Sequence, residues 1–364
     1  MRTDARHADD PPGPASAPPP TTGDGTDEHG DGRGGHRRAA RRDATDGMRT
    51  PHDGAAGARL YDATAARASA VVLRAYSTSF GVGTRLLGPR TRRDIEAVYA
   101  LVRLADEVVD TYRGPDAGAE LDELEAQTAR ALVSGYSTNV VVHAFAGTAR
   151  RTGIGHAEVD PFFASMRADL TVRAHDRASY ERYVYGSAEV VGLMCLRVFL
   201  DAERGPGDPP AEPTATAVAG ARGLGAAFQK INFLRDLGAD RGDLGRSYFP
   251  GVDPEHLTDA DVRAVLDEVA QDLAVARAGL PELPARARVA VAATLALYER
   301  LLDRLADTPA QDLEGRRVRV PGREKAVVVG GVVGRAVAGA AVRRGRPVVS
   351  RVTTAVRSAA GWRA

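Results

Sequence analysis

Apolar residues recur at intervals of three and four along nearly the whole chain from residue 60 onward, the spacing that collects them on one face of a helix. In residues 92–112, RRDIEAVYALVRLADEVVDTY, the positions Ile95, Val98, Val102, Ala105 and Val109 form one such stripe; Tyr99, Arg103, Asp106 and Asp110 form a polar stripe beside it. Residues 256–280 and 289–306 show the same amphipathic alternation. Breakers arrive in clusters, at Gly114 and Pro115, at residues 205–210 and at 281–284, and period-two runs of Val, Ile and Thr are scarce. The pattern predicts an all-α fold, a single large helical domain over residues 58–342, without an internal repeat or a glycine-rich dinucleotide turn.

The two ends read differently. Residues 1–57 are rich in Gly, Pro, Asp, Arg and His with almost no bulky apolar side chain, so burial cannot offset the entropy of ordering them and a disordered tail is expected. Its arginine pairs precede no apolar stretch of an export signal. Residues 326–342, AVVVGGVVGRAVAGAAV, are apolar but short, glycine-rich and interrupted by Arg335, which argues against a spanning helix. Residues 343–364 form a basic tail. An apolar helix followed by arginines suits peripheral contact with the inner, anionic face of a cell membrane and equally suits a core helix with a disordered tail.

Composition adds limits. The 364 residues are 43% hydrophobic and 27% charged, enough for a large core, and a net charge of +1 gives no bias toward nucleic acid. The lone Cys195 forbids an intrachain disulfide, which fits a reducing cytoplasm, and reads as a small buried hydrophobe.

The candidate chemistry sits in two stretches. Residues 229–250, QKINFLRDLGADRGDLGRSYFP, align Gln229, Asn232, Asp236 and Asp240 on one helix face while Ile231, Leu234 and Leu237 cover another. Carboxylates at i and i+4 repel by a few tenths of a kcal/mol, about 0.2–0.5, unless a cation lies between them. Asp106 and Asp110 repeat that spacing upstream, and each pair has an arginine close before it, Arg103 or Arg235. Two such pairs in apolar helices can face each other across a cavity. Their hard oxygen ligands suit magnesium, with manganese as the substitute, shared with substrate phosphates.

Five segments resemble, in order, the squalene/phytoene synthase family, which joins two prenyl diphosphates head to head: YSTSFGVGTRLL at 76–87, YALVRLADEVVD at 99–110, YVYGSAEVVGLMCL at 183–196, FQKINFLRDLGADR at 228–241 and GRSYFP at 245–250. A weaker match, RRVRVPGREK, lies at 316–325. Two positions depart from the family's pattern: Ala239 stands where Glu is usual and Glu189 where Gly is usual.

The resemblance implies a fold of the isoprenoid synthase type with a central active-site cavity. It implies a magnesium-dependent prenyltransferase with Asp106, Asp110, Asp236 and Asp240 as metal ligands and Tyr183 assisting proton or diphosphate transfer. The diphosphates would be held by Ser77, Ser79, Arg85, Arg103, Gln229, Asn232, Arg235, Tyr248 and Arg317, with Arg319 and Lys325 closing that end. Asp169, in a weaker matching segment, reads as structural. The small residues Gly186, Ser187, Ala188 and Gly192 would leave room for a long prenyl chain. The expected reaction makes phytoene from two geranylgeranyl diphosphates, as in carotenoid biosynthesis, and needs no NADPH. The rival is a squalene, hydroxysqualene or dehydrosqualene synthase acting on farnesyl diphosphate, and more remotely a non-catalytic lipid-binding member. The sequence is silent on oligomeric state.

Overall fold

The structure, a computed structural model, describes residues 54–77, 79–112, 114–205, 207–239, 248–253, 256–313 and 318–343, with the backbone alone at 79–80, 236–239 and 341–343. The helices belong to one compact unit, Asp53–Ala364. Most of the expected N-terminal tail and of the basic C-terminal tail lies outside the described residues. Residues 54–57, assigned to the tail from composition, form the first turn of a helix.

That helix, α1 (Gly54–Tyr76), is followed by the short α2 (Ser79–Thr84) and by α3 (Pro89–Asp106). α3 starts with Pro at its first position, where the missing N–H is no loss. It passes directly into a π-helical segment, Glu107–Tyr112, that carries Asp110. α4 (Ala117–Ser134), α5 (Val140–Thr152) and α6 (His156–Thr171) follow. α5 begins where Asn139 accepts hydrogen bonds from the N–H groups of Val141 and Val142, at 3.1 and 3.4 Å. α3 lies at the centre of this half, packed on α1, α5 and α8 (Val190–Asp201). Ile95, Leu101, Phe145, Phe162 and Phe163 are fully buried between these helices, each contributing about 1.5–3 kcal/mol by leaving water.

α7 (Arg177–Val184), a second π-helical segment, Tyr185–Glu189, and α8 run on as one continuous helix, Arg177–Asp201. It is long and apolar enough to cross a membrane by length and composition. Here it is a core helix, with Tyr180, Tyr183, Val190, Met194 and Val198 buried. The second half is built on α9 (Ala215–Ala239), packed on α10 (Asp259–Gly279), with α11 (Ala285–Ala306) and the short α12 (Ala310–Leu313) beside it. α10 opens with a reciprocal cap, Thr258 and Asp261 each satisfying the other's N–H. α13 (Gly322–Arg343) takes in the apolar stretch after residue 325: Val329 and Val332 pack on Ala293 and Leu297 of α11, while Val327 and Val337 stay exposed. There is no strand among the described residues.

Two glycines let the helices around the second π-helical segment approach closely. A Cβ on Gly225 would lie 2.4 Å from the Ala188 carbonyl oxygen, and one on Gly192 would lie 2.3 Å from that of Ala221. Backbone cannot step aside as a flexible side chain can, so these positions set the spacing between α8 and α9. Gly192 makes this helix contact and also lines the cavity enclosed by these helices. Gly225→Ala is expected to cost about 1–3 kcal/mol and to lower the melting temperature by several degrees. Gly147→Ala, on the exposed face of α5 with nothing within 4 Å of the added Cβ, should raise it slightly; thermal denaturation of both variants checks the contrast.

Candidate active site

α3, α6, the helix Arg177–Asp201, α9, α11 and the strap before α13 enclose a cavity of about 810 Å³. That is near the upper end of the usual range for ligand sites, roughly 300–1,000 Å³. The first half of each long helix supplies apolar wall: Ile95 and Val98 from α3, Ala217, Ala221 and Leu224 from α9. Val191, Leu196, Leu283, Val291 and Leu297 continue it. The second half of the same helices supplies the charged end, Arg103, Asp106 and then Asp110 from one, Gln229, Asn232 and Arg235 from the other. A polar stripe one helix face wide thus turns from hydrocarbon to charge along its own length.

Asp106 is a strongly perturbed carboxylate of this end. Burial, then the charge of Asp110, pushes it up to about 7, with Asp169 and Glu107 adding to the shift and Arg103 opposing it. The nearest Arg103 nitrogen, Nη1, lies 3.9 Å from Asp106 Oδ2. Its Nη2 is committed to Glu107, and its guanidinium lies over the Tyr76 ring, 4.4 Å from the centroid. Half-buried Asp106 thus differs from three fully buried carboxylates that are neutralised at closer range: Asp94 by Arg151 at 2.6 Å, Glu158 by Arg197 at 2.7 Å, Asp201 by Arg90 at 2.9 Å. Two neighbouring carboxylates with so little cation close to Asp106 fit a hard divalent ion with oxygen ligands. Both flank the junction of α3 with its π-helical segment, an irregularity common at functional sites. The second pair is seen only in part: Asp236 occupies α9 four residues after Asn232, and its side chain, with all of Asp240, lies outside the described residues.

Tyr183 is buried, and its hydroxyl donates to both oxygens of Asp169, at 2.8 and 2.9 Å. Burial first, and then the Asp169 charge, holds the phenol well above its ordinary value, so it stays protonated. Asp169, read as structural from sequence, is thus a cavity residue, and Asp106 feels its charge. Tyr248 and Phe233 stack nearly parallel at 3.9 Å, Tyr183 lies 5.5 Å from Tyr248, and His175 closes the stack 5.0 Å from Tyr183. At the far rim, burial and the neighbouring charges of Arg235 and Arg319 lower the pKa of Lys325.

The structure thus gathers Ser77, Arg103, Asp106, Asp110, Tyr183, Gln229, Asn232, Arg235 and Tyr248 around one cavity. Ser77 also shares a hydrogen bond with Tyr99. Arg85 is not brought there: it is exposed, outside the lining, and its carbonyl accepts from Arg92. The Ser79 side chain and Arg317 lie outside the described residues. Glu189 is accounted for by Arg222, whose Nε donates to it at 2.6 Å while the guanidinium lies 5.2 Å from the Tyr185 ring centroid. Cys195 lines the apolar wall, and burial pushes its thiol up to about 12. Tyr76 was missed as a site residue; the signal available was its place at the head of the first matching segment.

A family model described as squalene/phytoene synthase matches residues 73–324. The chain belongs to this family. Among its members, a 15-cis-phytoene synthase of Paracoccus sp. is 31% identical over 249 residues, 62% of this chain and 77% of that protein. Phytoene synthase 3, chloroplastic, of Zea mays is 33% identical over 282 residues, 70% of this chain and 62% of the maize protein. The match to phytoene synthase 1, chloroplastic, of Arabidopsis thaliana spans 57% of that protein, so both plant relatives are matched over less than two thirds of their length. Among solved structures, a dehydrosqualene synthase in complex with ligand aligns with a TM-score of 0.64 at 21% identity, over 76% of this chain and 98% of that one. A squalene synthase from Alicyclobacillus acidocaldarius aligns with a TM-score of 0.54 at 17% identity, over 76% and 96%. The helical fold is that of the isoprenoid synthases.

Tyr183→Phe would leave the buried Asp169 carboxylate without this donor. The expected cost is about 1–3 kcal/mol, read as a lower denaturation midpoint, together with a fall in turnover. A variant with unchanged midpoint and turnover would remove the Tyr183–Asp169 pair from the site.

Proposed function

We propose that the chain is a magnesium-dependent prenyltransferase that joins two geranylgeranyl diphosphates head to head, through a cyclopropyl diphosphate, to phytoene. One observation carries the reading: a rim of carboxylates and cations opens onto an apolar wall within one cavity, the shape and polarity of a molecule with a diphosphate head and a hydrocarbon tail. The phytoene synthase relatives support the choice of product.

In this reading Arg103, Arg235 and Lys325 bind the diphosphate oxygens, with Gln229 and Asn232 as neutral donors. Magnesium, held by Asp106 and Asp110 and by Asp236 and Asp240, would supply the charge that makes diphosphate a stable leaving group. The first substrate loses diphosphate at its allylic carbon, the double bond of the second adds to the resulting cation, and proton loss closes the cyclopropane. Loss of the second diphosphate, rearrangement and a second proton loss give the hydrocarbon. Val98, Val191, Leu196 and Leu297 keep water from the cations. Tyr183 is placed to relay a departing proton: with its hydrogen committed to Asp169, Oη can only accept, and the carboxylate takes up what Oη passes on. A second reading, dehydrosqualene or squalene from farnesyl diphosphate, is favoured by the structural neighbours and shares the same rim.

Asp106→Asn removes one of two repelling carboxylates. It should lower turnover by about 10²-fold or more, while the melting temperature in chelator stays the same or rises slightly; near-normal activity in magnesium would sink the metal assignment. The product is tested by incubating labelled geranylgeranyl and farnesyl diphosphates with and without NADPH. Phytoene at full rate without reductant is expected, and a C30 product that requires NADPH would move the chain to the squalene branch.

A further inference from the structure

Outside the catalytic cavity, the end of α11 and the strap leading into α13 enclose a second pocket of about 500 Å³. Three of its lining residues are arginines, Arg300, Arg304 and Arg319, joined by Thr308 and by a single lining carboxylate, Asp307. Arg300 and Arg304 lie one turn apart on α11 and share Glu324 of α13, each guanidinium taking one of its oxygens, and Arg300 Nη1 also lies 3.4 Å from Asp303 Oδ2. Arg304 Nε is buried with no hydrogen-bond partner. Arg319 is exposed and makes no ion pair among the described residues. Val318 and Arg319 line this pocket and the catalytic cavity alike, so the two adjoin.

A buried Arg304 N–H with nothing to bind and an Arg319 guanidinium with no ion pair among the described residues leave donors for an anion. Fork-shaped guanidinium donors match phosphate oxygens in particular. We propose that this pocket is a second anion site, separate from the carboxylate rim, that binds a phosphate or diphosphate group without a divalent metal. The shared Arg319 makes it a way station for diphosphate leaving the cavity. That use rests on the reading of the preceding section; the binding does not, and it is measured without turnover.

The test is calorimetric titration of the full chain with inorganic diphosphate in chelator. Wild type should bind. Arg300→Gln and Arg304→Gln should each weaken binding about tenfold, the loss of a charge-assisted hydrogen bond, and added salt should weaken it further. Asp106→Asn, at the carboxylate rim, should not reproduce the loss expected of Arg300→Gln and Arg304→Gln. Glu324→Gln, which frees both arginines from their counter-charge, should tighten binding about threefold or more, a gain that a misfolded variant cannot produce. The same proteins are then titrated with phosphatidylcholine vesicles with and without phosphatidic acid. That order of variants with free diphosphate assigns a soluble anion; the order with phosphatidic acid vesicles alone assigns a lipid phosphate. Equal affinity of wild type, Arg304→Gln and Glu324→Gln for both probes overturns the proposal.

Discussion

The interaction on which the site depends is the unfavourable one between Asp106 and Asp110. Burial and the charge of Asp110 raise the Asp106 pKa to about 7, and Arg103, the one arginine within 4 Å of Asp106 among the described residues, is also held by Glu107 and Tyr76. A fold that keeps Asp106 in this condition gains nothing from it as a packing group, since water would solvate it better. Three other acids, Asp94, Glu158 and Asp201, are buried and closed by arginine at short range, whereas Glu96, outside the cavity, is also raised by burial.

Holding that geometry requires helices that do not slide. The two π-helical segments sit where α3 and α7 reach the cavity, and the second is clamped on α9 by the close backbone approach at Gly225 and by the ion pair of Glu189 with Arg222. The aromatic stack from His175 through Tyr183 and Tyr248 to Phe233 fixes the wall beside the carboxylates. It also joins the two halves of the molecule, because Tyr183 and Phe233 come from different long helices.

The arginine pocket beside Arg319 shows the opposite electrostatic arrangement. Guanidinium groups line it, and the Asp303 and Glu324 carboxylates beside them are each close to an arginine, while carboxylates and apolar wall meet within the main cavity. A polyanion moving between the two would meet metal-assisted neutralisation at one and guanidinium hydrogen bonds at the other, with Arg319 common to both.

Local periodicity and spacing determined a good deal by themselves. The helical class follows from three- and four-residue repeats, and the stripe holding Arg103, Asp106 and Asp110 follows from the same count, because a helix converts sequence interval into direction. Gln229, Asn232 and Arg235 were legible as cavity residues for that reason. What spacing could not supply was the identity of the neighbour across the gap. Asp169 became a site residue only when α6 came against Tyr183, and Glu189 found Arg222 on a different helix. Gly192 proved to approach the Ala221 carbonyl as well as line the cavity. Arg85, plausible beside two serines, turned to the surface because the turn after α2 carries it there. Each of these depends on how separate helices pack, and packing is a property of pairs of surfaces that no single stretch of sequence contains.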